Sequence, residues 1–216
     1  MNQEHLIQKI VDNLAGSDEF ANWDKLTPQD TDYMLYSPTP VGYNTTAEQR
    51  YLMQNLLIGW NNESILDIGC GRADLYGFIR NFYPSAIFTY HGIDHNPIMT
   101  NLANQKYDVD CLTNTFESAK LPETSWVVAN GVFTQRRCET EDADLQKLFE
   151  DIDLLYNKST NVVSFNLLNP INNIHHEGFF YVHPGLVLDM LIEKYQNVVL
   201  RNNYSKDVYT VTIHKI

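Results

Sequence analysis

Basic residues are scarce in this chain: 15 Lys and Arg stand against 27 Asp and Glu, a formal net charge of −12. Affinity for nucleic acid comes largely from cations that displace counterions from phosphates, so such a balance disfavours a reader of duplex DNA or RNA. Cysteine is scarcer still. Three thiols, Cys70, Cys111 and Cys138, are too few and too spread for a disulfide framework or a four-ligand zinc site. No apolar run approaches the roughly 20 residues that cross a bilayer, so no membrane partner is expected. The opening MNQEHLIQKIVDNL has neither the cationic start nor the apolar core of a signal peptide, and the expected location is cytoplasmic. Internal repeats and long low-complexity tracts are absent as well.

What remains is an ordinary globular composition, with 44% hydrophobic, 12% aromatic and 19% charged residues over 216 positions. That length buries one substantial core. Segment 4–14 sets Leu6, Ile7, Ile10, Val11 and Leu14 on one helical stripe, and 24–45 reads as irregular chain rich in Pro and Tyr. Thr46 is placed to cap a helix over 47–58, with Gln49 as the far half of a capping box.

From there strands and helices alternate. Strands are expected at 64–69, 87–94, 109–114, 125–133 and 161–168, with helices over 73–82, from Pro97 to Tyr107, over about 141–157, and from Pro184 to Tyr195. Two alternating segments, 197–203 and 207–215, close the chain as a hairpin through Tyr204, Ser205 and Lys206. The fold expected is α/β: a Rossmann-like seven-stranded, mostly parallel sheet with an antiparallel C-terminal hairpin strand and helices on both faces. A ligand then belongs at the carboxyl ends of the strands, near the switch point.

The sharpest local feature lies there. Asp67-Ile68-Gly69-Cys70-Gly71-Arg72-Ala73 follows the first strand and opens a helix, and its small residues let backbone approach a ligand closely. Asp94 ends the second strand, where a carboxylate accepts both hydroxyls of a ribose. The bland alternative is a tight strand–helix turn beside two surface acids.

These segments resemble a family. ILDIGCGRADLYGFI and YHGIDHNP look like the first and second motifs of the class I S-adenosylmethionine-dependent methyltransferases, and Asn130-Gly131-Val132-Phe133 falls where the fourth lies. The resemblance covers about 46–216 and is nearest to small bacterial and phage-type members. It implies a methyltransferase domain over 46–216, preceded by an N-terminal helix and lid-like segment over 1–45. The cofactor implied is S-adenosyl-L-methionine. Gly69 and Gly71 would pack under its methionine part, Cys70 between them would also contact the cofactor, Asp67 would orient the amino group, Asp94 would hold the ribose, and His95 would lie near the adenine. Asn130 and Gly131 would line the same site. Where the family often has an acid after the third strand, this chain has Asn114-Thr115-Phe116, so Thr115 or backbone would replace the acid, with Phe116 against the ring.

Methyl transfer needs an in-line nucleophile about 3 Å from the methyl group, and sometimes a general base. The ends of strands four and five, the following loop and the amino-terminal segment nominate Asn166, His175, His176, Glu177, His183, Tyr36, Tyr43 and Arg50. His175 and His176 are the catalytic candidates, since histidine takes a proton near neutrality. They would also suit a metal, but no spaced third ligand is evident, so none is expected; the alternative is a solvated polar loop. Arg50 would pair with the cofactor carboxylate or stand on the surface, and Tyr36 would line a lid or cover core. Arg136-Arg137 would hold a phosphate or carboxylate, or form a solvated turn. The proline pair of nucleic-acid amino-methyltransferases is missing after strand four. A small-molecule or sugar-like acceptor is therefore favoured over a protein or nucleic acid, and an inactive cofactor-binding module is the third reading. The Tyr-rich amino-terminal segment would be a lid or a homodimer contact, and composition does not choose.

Overall fold

The structure, a computed structural model, describes Ser37 and residues 45–171, 175, 176 and 178–215. The helix expected at 4–14, the division of domains near residue 45, Tyr36, Tyr43 and Glu177 lie outside the described residues.

In chain order the elements are α1 (Thr46–Leu56), β1 (Ile65–Ile68), α2 (Asp74–Phe82), β2 (Tyr90–Asp94), α3 (Pro97–Tyr107), β3 (Leu112–Thr113), β4 (Thr124–Ala129), α4 (Glu141–Lys158), β5 (Ser159–Leu168), α5 (Pro184–Tyr195), β6 (Val198–Arg201) and β7 (Val208–His214). They build one seven-stranded sheet in the order β3-β2-β1-β4-β5-β7-β6. β7 runs antiparallel to both β5 and β6, while the pairings among β1 to β5 are parallel. The chain winds outward from β1 to β3, returns to β4 and winds the other way. The switch point therefore falls between β1 and β4.

Period-two alternation decides which helices cover which face. Leu66, Ile68, Val127, Ala129, Val163 and Phe165 meet Leu148, Ile152 and Leu155 of α4 and Val187 and Leu191 of α5. Their alternates Ile65, Trp126, Val128 and Val162 meet Met53 and Leu56 of α1 and Leu75, Phe78 and Ile79 of α2. Apart from Asp67, β1 is apolar on both sides, as are residues 126–129 of β4, because both sides are covered. Each such fully buried side chain contributes about 1.5–3 kcal/mol.

Local chemistry fixes the ends. Asn96 accepts from Ile98 N at 2.9 Å ahead of Pro97, and Thr140 accepts from Ala143 N at 3.2 Å. Glu141, Asp142 and Asp144 occupy the first turn of α4, where the helix dipole favours negative charge. Several boundaries differ from the sequence reading: β2 begins at Tyr90 rather than 87, and β3 spans Leu112–Thr113 rather than 109–114. The cap of α1 is Thr45, whose hydroxyl accepts from Glu48 N at 3.1 Å, and Gln49 instead turns inward to donate to Asp74 at 2.9 Å. β4 stops at Ala129 rather than running to 133, because Gly131 adopts φ +79° and turns the chain.

Candidate functional site

The β1–α2 connection is a turn with positive φ at Gly69 (+64°), Gly71 (+53°) and Ala73 (+56°). It is tied to the end of β2. Gly71 N donates to Asp94 Oδ2 at 2.9 Å, Asn96 N donates to Asp94 Oδ1 at 2.8 Å, and Cys70 N donates to Ile93 O at 3.0 Å. A side chain at Gly69 has no room: its Cβ would stand 2.5 Å from Val132 Cγ2. Glycine thus keeps the turn pressed against the wall that follows β4.

Two recesses meet over this turn and share Gly69, Gly71 and Asn130 in their linings. The smaller, about 60 Å³, is walled by Gln49, Met53, Asp67, Cys70, Arg72 and Asp74. The larger, about 580 Å³, opens past Asp94, His95, Met99, Thr115, Phe116, Glu117, Gly131, Gln135 and Arg137.

The smaller recess is electrostatically divided. Asp74 is compensated by Gln49 Nε2 (2.9 Å), Arg72 Nε (2.7 Å) and Lys106 Nζ (2.8 Å). Asp67 is buried and accepts from the Tyr90 hydroxyl at 2.6 Å. Burial pushes the Asp67 carboxyl up to about 7; the Tyr90 hydroxyl pulls it down, and the charges of Asp94 and Asp74 add to the rise. Burial together with the neighbouring Asp67 pushes the Tyr90 phenol well above its usual range.

Beyond β4 the wall is held from β5. Buried Asn166 accepts from Gly131 N at 2.7 Å and donates to Asn130 Oδ1 at 2.6 Å. Thr134 donates to Gly131 O at 2.7 Å. The chain then pairs with the loop after β5: Arg136 N donates to Gly178 O at 2.8 Å, and Phe180 N to Thr134 O at 2.9 Å. Val182 N returns to Leu168 O at 3.3 Å, so residues 178–182 cross the ends of both strands.

Of the residues nominated from sequence, Asp94, His95, Thr115, Phe116 and Gly131 line the larger recess, Asp67 and Cys70 the smaller, and Gly69, Gly71 and Asn130 both. Others stand elsewhere. Arg50 is exposed on α1 with its guanidinium 5.5 Å from the Phe82 ring. Its neighbour Gln49 is the α1 residue that enters the smaller recess with Met53. Helical periodicity explains the exchange, because Gln49, Met53 and Leu56 share the inner face and Arg50 is rotated about 100° from it. His175 and His176 are exposed and outside both linings; the His175 ring stacks on Tyr181 with centroids 4.5 Å apart. His183 caps α5, its Nδ1 accepting from Gly185 N at 3.1 Å. Arg136 and Arg137 neutralise Asp144 (3.2 Å) and Asp151 (2.7 Å) on α4, although Arg137 also reaches the larger recess. Burial would raise the Asp144 carboxyl, but the N–H groups of Arg137 and Cys138 and the Arg136 guanidinium hold it below its usual range. Gln49, Arg72 and Gln135 were not singled out as ligands by the sequence reading; for Gln49 the helical stripe was the available signal.

The strand order, the reversed β7 and the glycine turn under a strand-end acid define the class I S-adenosylmethionine-dependent methyltransferase fold. Solved structures share it. Magnesium protoporphyrin IX methyltransferase from Synechocystis PCC 6803, with bound S-adenosylmethionine, superposes with a TM-score of 0.58 at 12% identity, covering 97% of each chain. The plantazolicin methyltransferase, in complex with a pentazolic desmethyl analogue and S-adenosylhomocysteine, gives 0.58 at 12% identity over 100% of both chains. The N-methyltransferase NodS from Bradyrhizobium japonicum WM9, with S-adenosylhomocysteine, gives 0.58 at 14% identity over 97% of this chain and 98% of its own. No family model matches the sequence, and no curated protein is similar to it in sequence. Among the described residues no helix is long and apolar enough to cross a membrane.

Proposed function

We propose that this chain is an S-adenosylmethionine-dependent methyltransferase that acts on a small molecule. One observation carries the reading: Asp94, its two oxygens held by Gly71 N and Asn96 N, stands in the larger recess, which joins the smaller one over Gly69 and Gly71. The donor set fits the cofactor. A carboxylate with remaining lone pairs suits a ribose diol, and the cleft between Met99, Phe116 and Val132 suits a flat base; buried Asp67, which among the described residues has no cation as a hydrogen-bond partner, suits an ammonium group. Arg72 and Gln49, both held on Asp74, line the same recess as Asp67. When bound, S-adenosylmethionine supplies a methyl group on a sulfonium, open to in-line displacement.

The protein's own part is mainly positioning. Asn166 fixes Asn130 and Gly131 at the end of β4, where an acceptor would approach. For an acceptor atom that carries a proton, His176 is our candidate base, with His175 beside it. Both are exposed on the loop that crosses the ends of β4 and β5. A net charge of −12 and the missing proline pair after β4 favour a small acceptor over nucleic acid. Two of the neighbours are named for the compounds magnesium protoporphyrin IX and plantazolicin.

Calorimetric titration with S-adenosylmethionine and S-adenosylhomocysteine, with NAD as control, tests the donor. Micromolar binding of the first two and none of the third is expected. Binding of neither overturns the proposal.

A further inference from the structure

The loop after β5 displays aromatic rings beside the larger recess, and the backbone determines where they face. Gln135 and Phe179 are directly opposite in an antiparallel bridge, flanked by Arg136 N to Gly178 O (2.8 Å) and Phe180 N to Thr134 O (2.9 Å). Residues directly opposite project from the same face of a ribbon. Gln135 lines the larger recess, so Phe179 projects on the recess side. Alternation along the strand agrees: Phe180 (6% exposed) and Val182 (5%) enter the core, and Phe179 is left 42% exposed.

Each outward ring carries a histidine. His175 lies parallel to Tyr181, 4.5 Å between centroids and 4° between planes, and His176 meets Phe179 edge-on at 6.4 Å and 67°. Tyr181 is half-buried and paired with Leu168 at the end of β5, and its hydroxyl accepts from His176 N at 3.3 Å. The result is a shelf of four rings at the β4–β5 side of the strand ends. In the sheet order it lies across β1 and β4 from Asp94, on the side away from the ribose-binding acid.

We infer that this shelf binds the methyl acceptor, and that the acceptor is a flat aromatic or heteroaromatic ring system. An exposed phenyl ring offers a planar apolar face, and offset or edge-to-face ring pairs add about 0.5–1.5 kcal/mol beyond area burial. That selects for a flat partner over a puckered one of equal size. Such a ligand would lie over the face that Phe179 and Gln135 share and extend towards Asn130 at the rim shared by the two recesses. The inference rests on the methyltransferase reading and narrows its acceptor.

The test uses matched probes on the full chain saturated with S-adenosylhomocysteine: 2-naphthol, its puckered counterpart decahydro-2-naphthol, and methyl β-glucopyranoside. Affinity is read by calorimetry, and proximity to the His176 ring by saturation-transfer NMR. About fivefold tighter binding of 2-naphthol than of decahydro-2-naphthol is expected, with the preference lost in Phe179→Leu while S-adenosylhomocysteine affinity stays unchanged. Equal binding of the two naphthalene frames overturns the inference. So does binding of the glucoside alone, binding of no probe, or a preference that survives in Phe179→Leu. Titration with S-adenosylhomocysteine alone separates the two claims. Its failure to bind removes the methyltransferase reading, while the probes on the unliganded chain still report on the shelf.

Discussion

Asp94 and Gly71, 23 residues apart, are joined by a hydrogen bond of 2.9 Å from the glycine N–H to carboxylate Oδ2. The bond ties the end of β2 to the turn after β1, so one side chain both shapes the site and presents negative charge to it. Asp94→Ala should weaken S-adenosylhomocysteine binding by about 1–3 kcal/mol and lower the thermal midpoint by leaving two backbone donors without their acceptor. Calorimetry and a melting curve check the two effects. Unchanged affinity in a folded variant would remove the ribose role.

Asp67 gives a pH dependence of definite sign. Its folded carboxyl is raised to about 7 from 3.8, so between those values the folded chain keeps a proton that the unfolded chain has released. Stability should therefore fall as the pH rises from about 4 to about 7 and level off above. Asp67→Asn should flatten that part of the profile in urea titrations. An ammonium docking beside Asp67 would favour its charged form, so cofactor binding at pH 6.5 should release a proton. Calorimetry in buffers of different ionisation enthalpy measures that release, and Asp67→Asn should abolish it.

Gly69 and Val132 form a steric pair. At φ +64°, with an added methyl group 2.5 Å from Val132 Cγ2, Gly69→Ala should cost roughly 1–2 kcal/mol from backbone strain and more from the clash. Adding Val132→Ala should recover the clash portion and leave the strain. A double-mutant cycle by chemical denaturation gives both parts, and additive losses would show that the two residues do not press on one another.

Asn166 tests whether the β4 wall is held from behind. Asn166→Ala removes an acceptor from Gly131 N and a donor to Asn130, for an expected loss of about 1–3 kcal/mol. Asn166→Asp keeps the first bond but opposes the Asn130 carbonyl with a second acceptor, and should be the worse of the two. Denaturation midpoints order the variants.

His176→Ala bears on the proposed base. Labelled-methyl transfer to aromatic alcohols should be lost while S-adenosylhomocysteine affinity is retained. Normal turnover would leave the imidazole with its ring contact to Phe179 alone.

Much of this was legible in one dimension, where the responsible interactions are local. Helices α3 and α5 run from Pro97 to Tyr107 and from Pro184 to Tyr195, the spans their prolines and apolar periodicity predict. The glycine turn was legible because positive φ and close approach leave few residues to choose from. The cap of α1 was displaced by one residue, since Thr45 and Thr46 offer the same hydroxyl and only the first turn's geometry selects between them.

Sequence alone therefore determined the alternation of strands and helices, the antiparallel ending, and the acid and glycines of the first two motifs. These follow from periodicity, turn chemistry and charge, which act over a few residues. Tertiary structure decided what depends on distant segments meeting. It turned Gln49 inward instead of Arg50, buried Asp67 against Tyr90, placed Asn166 behind Asn130, and paired Gln135 with Phe179. The physical reason is that helix rotation, desolvation and cross-strand pairing are set by packing, and packing is a property of the assembled sheet.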